Sequence, residues 1–250
     1  KVTLSQKRYF LDGSTNEQLW VIPITFFINL NALTIPNTVL LEKSQEVIQL
    51  ELHHELEFIH LNPSRTGFYR VLYSDELLER VLKNIVKLNV AERLGVVSDC
   101  FAFCRSGHFS TEKYLQLLLR FRDAGELNEE IWDYIVSTLH RIHSLLYYSA
   151  NSADIPRFWL FCNSLLTPIL QSFNMSPKPD NLSDGEIRLI GTILTLLITT
   201  DDEHVGSILR SWVSPYMAGE LDVEPSFRRL MFMASFKSNE LFDKLIDHFI

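Results

Sequence analysis

Apolar residues recur at every second position in the first part of the chain, which is the spacing of half-buried β-strands. Ile48, Leu50 and Leu52, for example, alternate with polar neighbours. Short strands are predicted over 20–28, 48–52, 56–60 and 68–73, with turn-forming residues between them. Several short strands separated by turns predict a small β-sandwich over residues 1–73.

After Ser74 the apolar spacing becomes helical. Ser74 is of a residue type that caps helices, and Asp75 and Glu76 follow it at the positive end of the helix dipole. Further helices are predicted from Ala91 to Arg105, after Ser110, after Asn128, and over 153–172, 183–199, 202–213, 224–235 and 238–249. Successive helices with short turns predict a HEAT-like stack over 74–250, although no strict repeat is visible. The predicted fold class is therefore α+β in sequence order, a small N-terminal β-sandwich followed by an all-α domain.

Composition and charge argue against two classes of partner, nucleic acids and membranes. Hydrophobic residues make up 46% of the chain and charged residues 22%, which is usual for a globular protein. The formal net charge of −8 and the absence of a basic cluster argue against nucleic-acid binding. No apolar run reaches about 18 residues, so a membrane span is not expected either.

Three cysteines bear on the compartment. Cys100 and Cys104 lie one helical turn apart, a spacing that suits packing better than a disulfide, and Cys162 has no evident partner. Free thiols favour a reducing compartment, so we expect a cytoplasmic location. Two N-glycosylation sequons, at Asn174 and Asn181, favour the alternative of the secretory-pathway lumen or the extracellular face.

The histidines at 53–60 are the first candidates for chemistry. A zinc peptidase needs His-Glu-x-x-His on a helix, where a spacing of four puts both imidazoles on one face. From His54 the position that must be His is Phe58, and the segment is predicted as strand and turn. Cys100, Cys104 and His108 supply too few ligands for structural zinc, and a surface position explains the pair His140 and His143. No catalytic, cofactor-binding or metal-binding residue is predicted, and an independent hydrolase with an unfamiliar site is disfavoured.

Four ordered segments resemble one family. Gluzincin zinc aminopeptidases carry Asn, a short gap and then Gly-(Tyr/Phe)-Tyr-Arg-Val-x-Tyr, and residues 62–73 match that motif. Residues 6–10 resemble the Gln-x-(Arg/Lys)-Phe segment of these enzymes, and residues 20–24 their Trp-x-(Val/Ile)-Pro-(Leu/Ile) strand. Residues 92–107 resemble the helix that follows the sandwich. The form of the motifs is closest to the puromycin-sensitive branch.

The resemblance implies a function by position in the parent enzyme. In this family the zinc site lies in a catalytic domain upstream of the sandwich, so zinc is expected there and no cofactor in this chain. The chain would then be a non-catalytic C-terminal part, with its own upstream catalytic domain and peptides as partners. It would cover the catalytic cleft and shape peptide access, and the helical domain at 74–250 is expected to be incomplete at its C-terminus. The alternative is a non-enzymatic helical scaffold that binds peptides or partner proteins.

The motif residues are predicted to have structural roles. They are Asn62, Gly67, Tyr69, Arg70, Tyr73, Arg93 and Asp99. Gly67 is expected to supply a positive φ before the strand. Tyr69 and Tyr73 are predicted to share the face opposite Arg70. Arg70 is predicted to clamp a carboxylate or helix-end carbonyls, with Asp99 as its partner, and substrate binding is the alternative.

Overall fold

The structure is a computed structural model that describes residues 1–250 except 31–32, 51–53, 150–151, 174, 237, 239–240, 242 and 244–250. Its strands are β1 (Val2–Ser5), β2 (Ile22–Leu30), β3 (Leu33–Leu41), β4 (Gln45–Ile48) and β5 (Phe58–Leu61). Strands β1 and β4 form one antiparallel pair, and β2 lies between β3 and β5 in a second antiparallel sheet. Every described strand precedes the first α-helix.

The two sheets pack against each other through alternate residues of β2. Ile24, Phe26 and Ile28 are buried, and Val2 and Ile48 of the other sheet pack on this cluster. The intervening residues of β2 face the other way because successive side chains alternate between the two sides of a strand. On that second side the ring of Phe27 lies 5.9 Å from the ring of Phe58 and 5.3 Å from the ring of His60. The second side of the sheet therefore has an aromatic cluster of its own between β2 and β5, whereas most residues of β3 are exposed.

The described chain after β5 is mainly helical. Its helices are α1 (Asp75–Lys83), α2 (Val90–Arg105), α3 (Thr111–Asp123), α4 (Glu129–Tyr148), α5 (Ile155–Gln171), α6 (Asp184–Thr199), α7 (Glu203–Ser211), α8 (Val213–Met217) and α9 (Pro225–Ser235). Short 3-10 turns lie at Pro63–Arg65, Ile85–Lys87 and Ser152–Asp154. The mixed α+β class is confirmed. None of the helices that the structure describes is long and apolar enough to cross a membrane.

The helix starts follow the predicted capping residues. The side chains of Ser74, Ser110 and Asn128 each accept a hydrogen bond from the backbone N–H three residues later. The helix predicted over 202–213 is divided between α7 and α8. The helix predicted over 238–249 falls almost wholly outside the described residues.

The chain forms two compact units, residues 1–126 and 127–250. The first contains the strands and α1–α3, and α1 packs on β5. In the second, α4 packs on α5 and α6, while α9 packs on α6 and α7. Trp132, Ile135 and Leu139 lie on the fully buried side of α4. The predicted division into domains at 1–73 and 74–250 stays a prediction.

Candidate functional site

Residues 62–67 form a tight turn that leads from β5 towards the helices. Asn62, Ser64 and Arg65 all have left-handed backbone conformations, with φ of 58°, 52° and 57°. Such conformations are costly for residues with a Cβ, and Asn tolerates them best. The Asn62 side chain is buried and holds the turn from inside. Its Oδ1 accepts from the Gly67 N–H at 2.7 Å, and its Nδ2 donates to the carbonyls of Gly67 and Tyr69 at 2.9 and 3.2 Å.

Glycine is required at position 67 because there is no room for a Cβ. The prediction of a positive φ at this residue was wrong. The glycines with positive φ are 13, 107, 125 and 219. A Cβ added at Gly67 would lie 2.2 Å from Cε1 of the Tyr69 ring. The turn can therefore fold back over the tyrosine only because residue 67 lacks a side chain.

One polar face of helix α2 contacts the turn formed by residues 62–67. The Ser64 N–H donates to Oε1 of Glu92 at 3.1 Å. The Arg65 guanidinium donates to the Ser98 hydroxyl and lies 3.6 Å from Oδ1 of Asp99. Gly95 lies beneath this arginine, and a Cβ there would meet its Cδ at 3.3 Å. Residues 92, 95, 98 and 99 thus lie on one face of α2, and the Arg65 side chain lies on that face.

Residues 68–69 lie in a bend and 70–73 have no regular secondary structure, so the strand predicted there is absent from the described sheets. The predicted alternation of faces is nevertheless confirmed, because Tyr69, Val71 and Tyr73 are less exposed than their neighbours. The Val71 N–H donates to Oδ2 of Asp99 at 2.9 Å. The Leu61 N–H donates to the Tyr73 hydroxyl, also at 2.9 Å. Side-chain acceptors therefore replace the carbonyls of a neighbouring strand.

The predicted clamp of Asp99 by Arg70 was wrong in its choice of arginine. Arg70 is exposed, and its guanidinium lies over the Tyr9 ring, 4.9 Å from the ring centroid. Asp99 is paired with Arg65 instead. The alternation of the segment correctly placed Arg70 on the outer side, and from there its charge opposes the raised pKa of Asp99 less strongly than Arg65 does.

Arg93 joins helix α2 to the end of the first compact unit. Its Nε and Nη2 donate to the two carboxylate oxygens of Glu126, at 2.5 and 3.2 Å. Its Nη1 donates to the Leu88 carbonyl at 2.7 Å. A planar guanidinium is suited to this two-pronged contact with a carboxylate, so the motif arginine has a structural role.

Burial sets the electrostatics of the junction between β5, the 62–73 segment and α2. Burial raises the pKa of Asp99, an effect opposed by the Val71 N–H and by Arg65. Burial also lowers the pKa of His60 to about 4, against a smaller opposing effect of Glu92. The His60 Nδ1 lies 3.4 Å from the Tyr73 hydroxyl, whereas its buried Nε2 has no hydrogen-bond partner among the described residues. The sequence analysis did not predict that His60 is buried. Its position two residues after Phe58, within a strand pattern, could have indicated this.

The remaining candidates do not assemble a metal site. His53 lies outside the described residues, His54 is exposed, and Phe58 is fully buried within β5. Cys100, Cys104 and Cys162 are free thiols, and burial raises the pKa of Cys100 to about 12. Within the described ranges no group of three or more His, Cys, Asp or Glu residues is placed to hold a metal ion. The donor sets present in this part of the chain therefore do not fit the zinc of the aminopeptidases.

Similarity to known proteins defines the class to which this junction belongs. The model of the ERAP1-like C-terminal domain family matches residues 58–249. The chain belongs to this family. The matched region begins at β5 and includes the whole junction described above.

Individual relatives place the family among aminopeptidases. The chain is 25% identical over 246 residues to the alanine/arginine aminopeptidase of Saccharomyces cerevisiae, covering 93% of this chain and 26% of that protein. It is 34% identical over 122 residues to tricorn protease-interacting factor F2 of Thermoplasma acidophilum, covering 48% and 14%. It is 31% identical over 120 residues to the puromycin-sensitive aminopeptidase of Caenorhabditis elegans, covering 46% and 13%. These matches span about a quarter or less of each relative, and they confirm the predicted resemblance to the C-terminal part of a zinc aminopeptidase.

The two arginines of the junction should differ in their contribution to stability. Arg65→Ala removes contacts to Ser98 and to the buried Asp99, so we expect a loss of about 1–2 kcal/mol in unfolding free energy. Arg70→Ala removes an exposed contact with an aromatic ring, which is worth about 0.5–1 kcal/mol. Urea unfolding of the two variants measures both values. A larger loss for Arg70→Ala than for Arg65→Ala would contradict this assignment.

A pair of glycine substitutions tests the close approach of Gly67 to Tyr69. Gly67→Ala forces the tyrosine ring to move, and overpacking of this kind costs about 1–3 kcal/mol. Gly191→Ala is the matched control, because α6 has open space around Gly191 and alanine is the better helix former by about 1 kcal/mol. Thermal melts should therefore move in opposite directions. An unchanged or raised melting temperature for Gly67→Ala would show that the turn tolerates a Cβ at residue 67.

His60 should make the stability depend on pH. Its pKa is about 4 in the folded chain and 6.5 when unperturbed, so the unfolded chain binds the proton more tightly and stability falls as the pH drops below 6.5. Between pH 7 and pH 4 this single residue should cost roughly 3 kcal/mol. In His60→Gln that part of the loss should vanish. Chemical unfolding of both proteins across this range measures the difference, and parallel profiles would contradict the assignment.

Proposed function

We propose that this chain is the non-catalytic C-terminal part of a zinc-dependent aminopeptidase, with the zinc and the peptide-cleaving groups in an upstream domain. The observation that carries the proposal is the family match over 58–249, which includes the intact junction motif. The described residues contain no group of three His, Cys, Asp or Glu side chains that could hold a metal ion. In a peptidase of this kind the metal supplies polarisation of the scissile carbonyl and activation of water, and we assign both tasks to the upstream domain.

The helical part is proposed to cover the catalytic cleft and to limit which peptides reach it. The packing of α4 on α5 and α6, and of α9 on α6 and α7, supports a HEAT-like stack within the second compact unit. Stacked helices build extended surfaces on which peptides can lie. Three free cysteines support a cytoplasmic location, which is part of this proposal.

The upstream catalytic domain is proposed to dock on the outer side of residues 68–72. Phe68 is fully exposed, Leu72 is 43% exposed, and the exposed Arg70 has no carboxylate within 4 Å among the described residues. The backbone behind them is held by Asn62 and Asp99, so these side chains are presented in a fixed position. A large aromatic residue held rigidly on a surface is typical of an interface anchor.

The longer protein that contains these residues tests the proposal. We expect it to hold one zinc ion and to release N-terminal amino acids from peptides, while the isolated 250-residue chain does neither. Metal analysis and an aminoacyl reporter assay on both proteins measure this. A longer protein that lacks zinc and activity, yet binds peptides, would favour the helical scaffold instead.

A matched pair of variants tests the docking surface in the same two proteins. Phe68→Ser should lower the melting temperature of the longer protein, because burying a Phe side chain is worth about 1.5–3 kcal/mol, and should leave the isolated chain unchanged. Val86→Ser removes another exposed apolar residue, which is not part of residues 68–72, and is the control. If Phe68→Ser leaves the longer protein as stable as its parent, the catalytic domain does not dock there.

A further inference from the structure

Strand β3 forms one edge of the three-stranded sheet. It pairs with β2 on one side, and no strand among the described residues lies on the other. An unpaired edge exposes backbone donors and acceptors, on which another chain can add a strand. Apolar side chains flank this edge, because Leu33, Ile35 and Leu40 are 52%, 37% and 51% exposed. Charged side chains are one common means of keeping such an edge from pairing, and β3 contains none.

The register of the sheet shows which residues of β3 direct their backbone groups at the free edge. The Thr25 and Asn29 carbonyls of β2 accept from the residues that flank β5, so they point towards β5. Because successive residues of a strand bond towards opposite edges, the intervening residues of β2 bond towards β3. Their partners are the odd-numbered residues of β3, for example Asn37 opposite Phe26. The even-numbered residues from 34 to 40 therefore direct their N–H and C=O groups at the free edge.

Two neighbouring residues remove the donors from the middle of this edge. Pro36 has no backbone N–H, so it offers only its carbonyl. The Thr38 N–H is occupied, because it donates to Oδ1 of the Asn37 side chain at 2.9 Å. The other outward donors belong to Thr34 and Leu40, which lie about 20 Å apart along a strand. A strand added at the centre of β3 would therefore find acceptors without donors.

Strand formation does not explain why these two residues lie at the centre of β3. Proline and asparagine are both depleted in strands. Pro36 lies opposite Phe27, at a pair that exchanges no backbone bond, and the Asn37 side chain bonds to the next residue of its own strand. Neither residue therefore contributes a bond of its own side chain or N–H to the pairing with β2 at the free edge. Their shared effect is on the donors that point outward.

We propose that Pro36 and Asn37 close the free edge of β3 against strand addition by a second copy of this chain. An antiparallel pairing centred on residue 36 would present the same edge of each copy to the other. Leu33 would then lie opposite residue 39 of the second copy, so apolar side chains would meet. Each copy would nevertheless lack the N–H of residue 36 and find that of residue 38 occupied. This role is independent of the proposed function.

Two uncharged substitutions restore the missing donors. Pro36→Thr returns the N–H of residue 36, and Asn37→Ala frees the Thr38 N–H, so the double variant gains two donors in each copy. A net hydrogen bond is worth roughly a factor of five in an equilibrium constant. Analytical ultracentrifugation of the 250-residue chain should therefore show self-association at least about 100-fold tighter than in the parent. A double variant that associates no more tightly than the parent would overturn the proposal.

A lysine at residue 36 is the matched control. Pro36→Lys combined with Asn37→Ala restores the same donors but places two lysines opposite each other at the two-fold axis, where like charges are destabilising. This variant should associate as weakly as the parent. Association equal to that of the threonine variant would show that the copies meet elsewhere, and would contradict pairing through β3.

Asn37→Ala alone keeps Pro36 and tests the occupied donor if the threonine variant does not fold. Its Thr38 amide hydrogen should exchange with solvent about fivefold faster than in the parent, because the bond to the Asn37 side chain is lost. Hydrogen exchange followed by NMR measures this rate in both proteins. An unchanged rate would overturn the role of Asn37 at the edge.

Discussion

Two buried carboxylates on one face of α2 hold the segment that joins the strands to the helices. Glu92 accepts the Ser64 N–H, and Asp99 accepts the Val71 N–H and pairs with Arg65. Backbone N–H groups that lack a sheet or helix partner must find another acceptor when they are buried. Because residues 62–73 belong to neither a sheet nor an α-helix, α2 supplies those acceptors. The course of the chain from β5 into α1 depends on this face.

The same arrangement gives the residues of the family motif contacts within the first compact unit. Asn62 closes the turn, Gly67 makes room for Tyr69, and Tyr73 accepts the Leu61 N–H. Each residue type makes a contact within the first compact unit, so substitution would alter the geometry of the junction. Within the proposed function, a rigid junction would keep the exposed side of 68–72 in a constant position against the catalytic domain.

Much of the fold could be predicted because it depends on local patterns. Ser74, Ser110 and Asn128 begin helices as their residue types predict, and the alternation of 68–73 indicated the correct inward and outward sides. The errors came from contacts between distant residues. Alternation predicts which side faces inward but not whether a partner strand lies alongside, and it does not reveal that Arg65, in a left-handed turn, reaches Asp99 before Arg70 can.

The most direct test of the junction is hydrogen exchange at the amide of Val71. This residue lies in an unpaired segment, so its protection depends on the hydrogen bond to Asp99. Native-state exchange measured by NMR reports the free energy of the opening that exposes each amide. We expect the Val71 amide to exchange as slowly as the amides of α2, which open only when the unit unfolds. Exchange as rapid as that of the exposed residues 14–18 would contradict the central role of the α2 carboxylates.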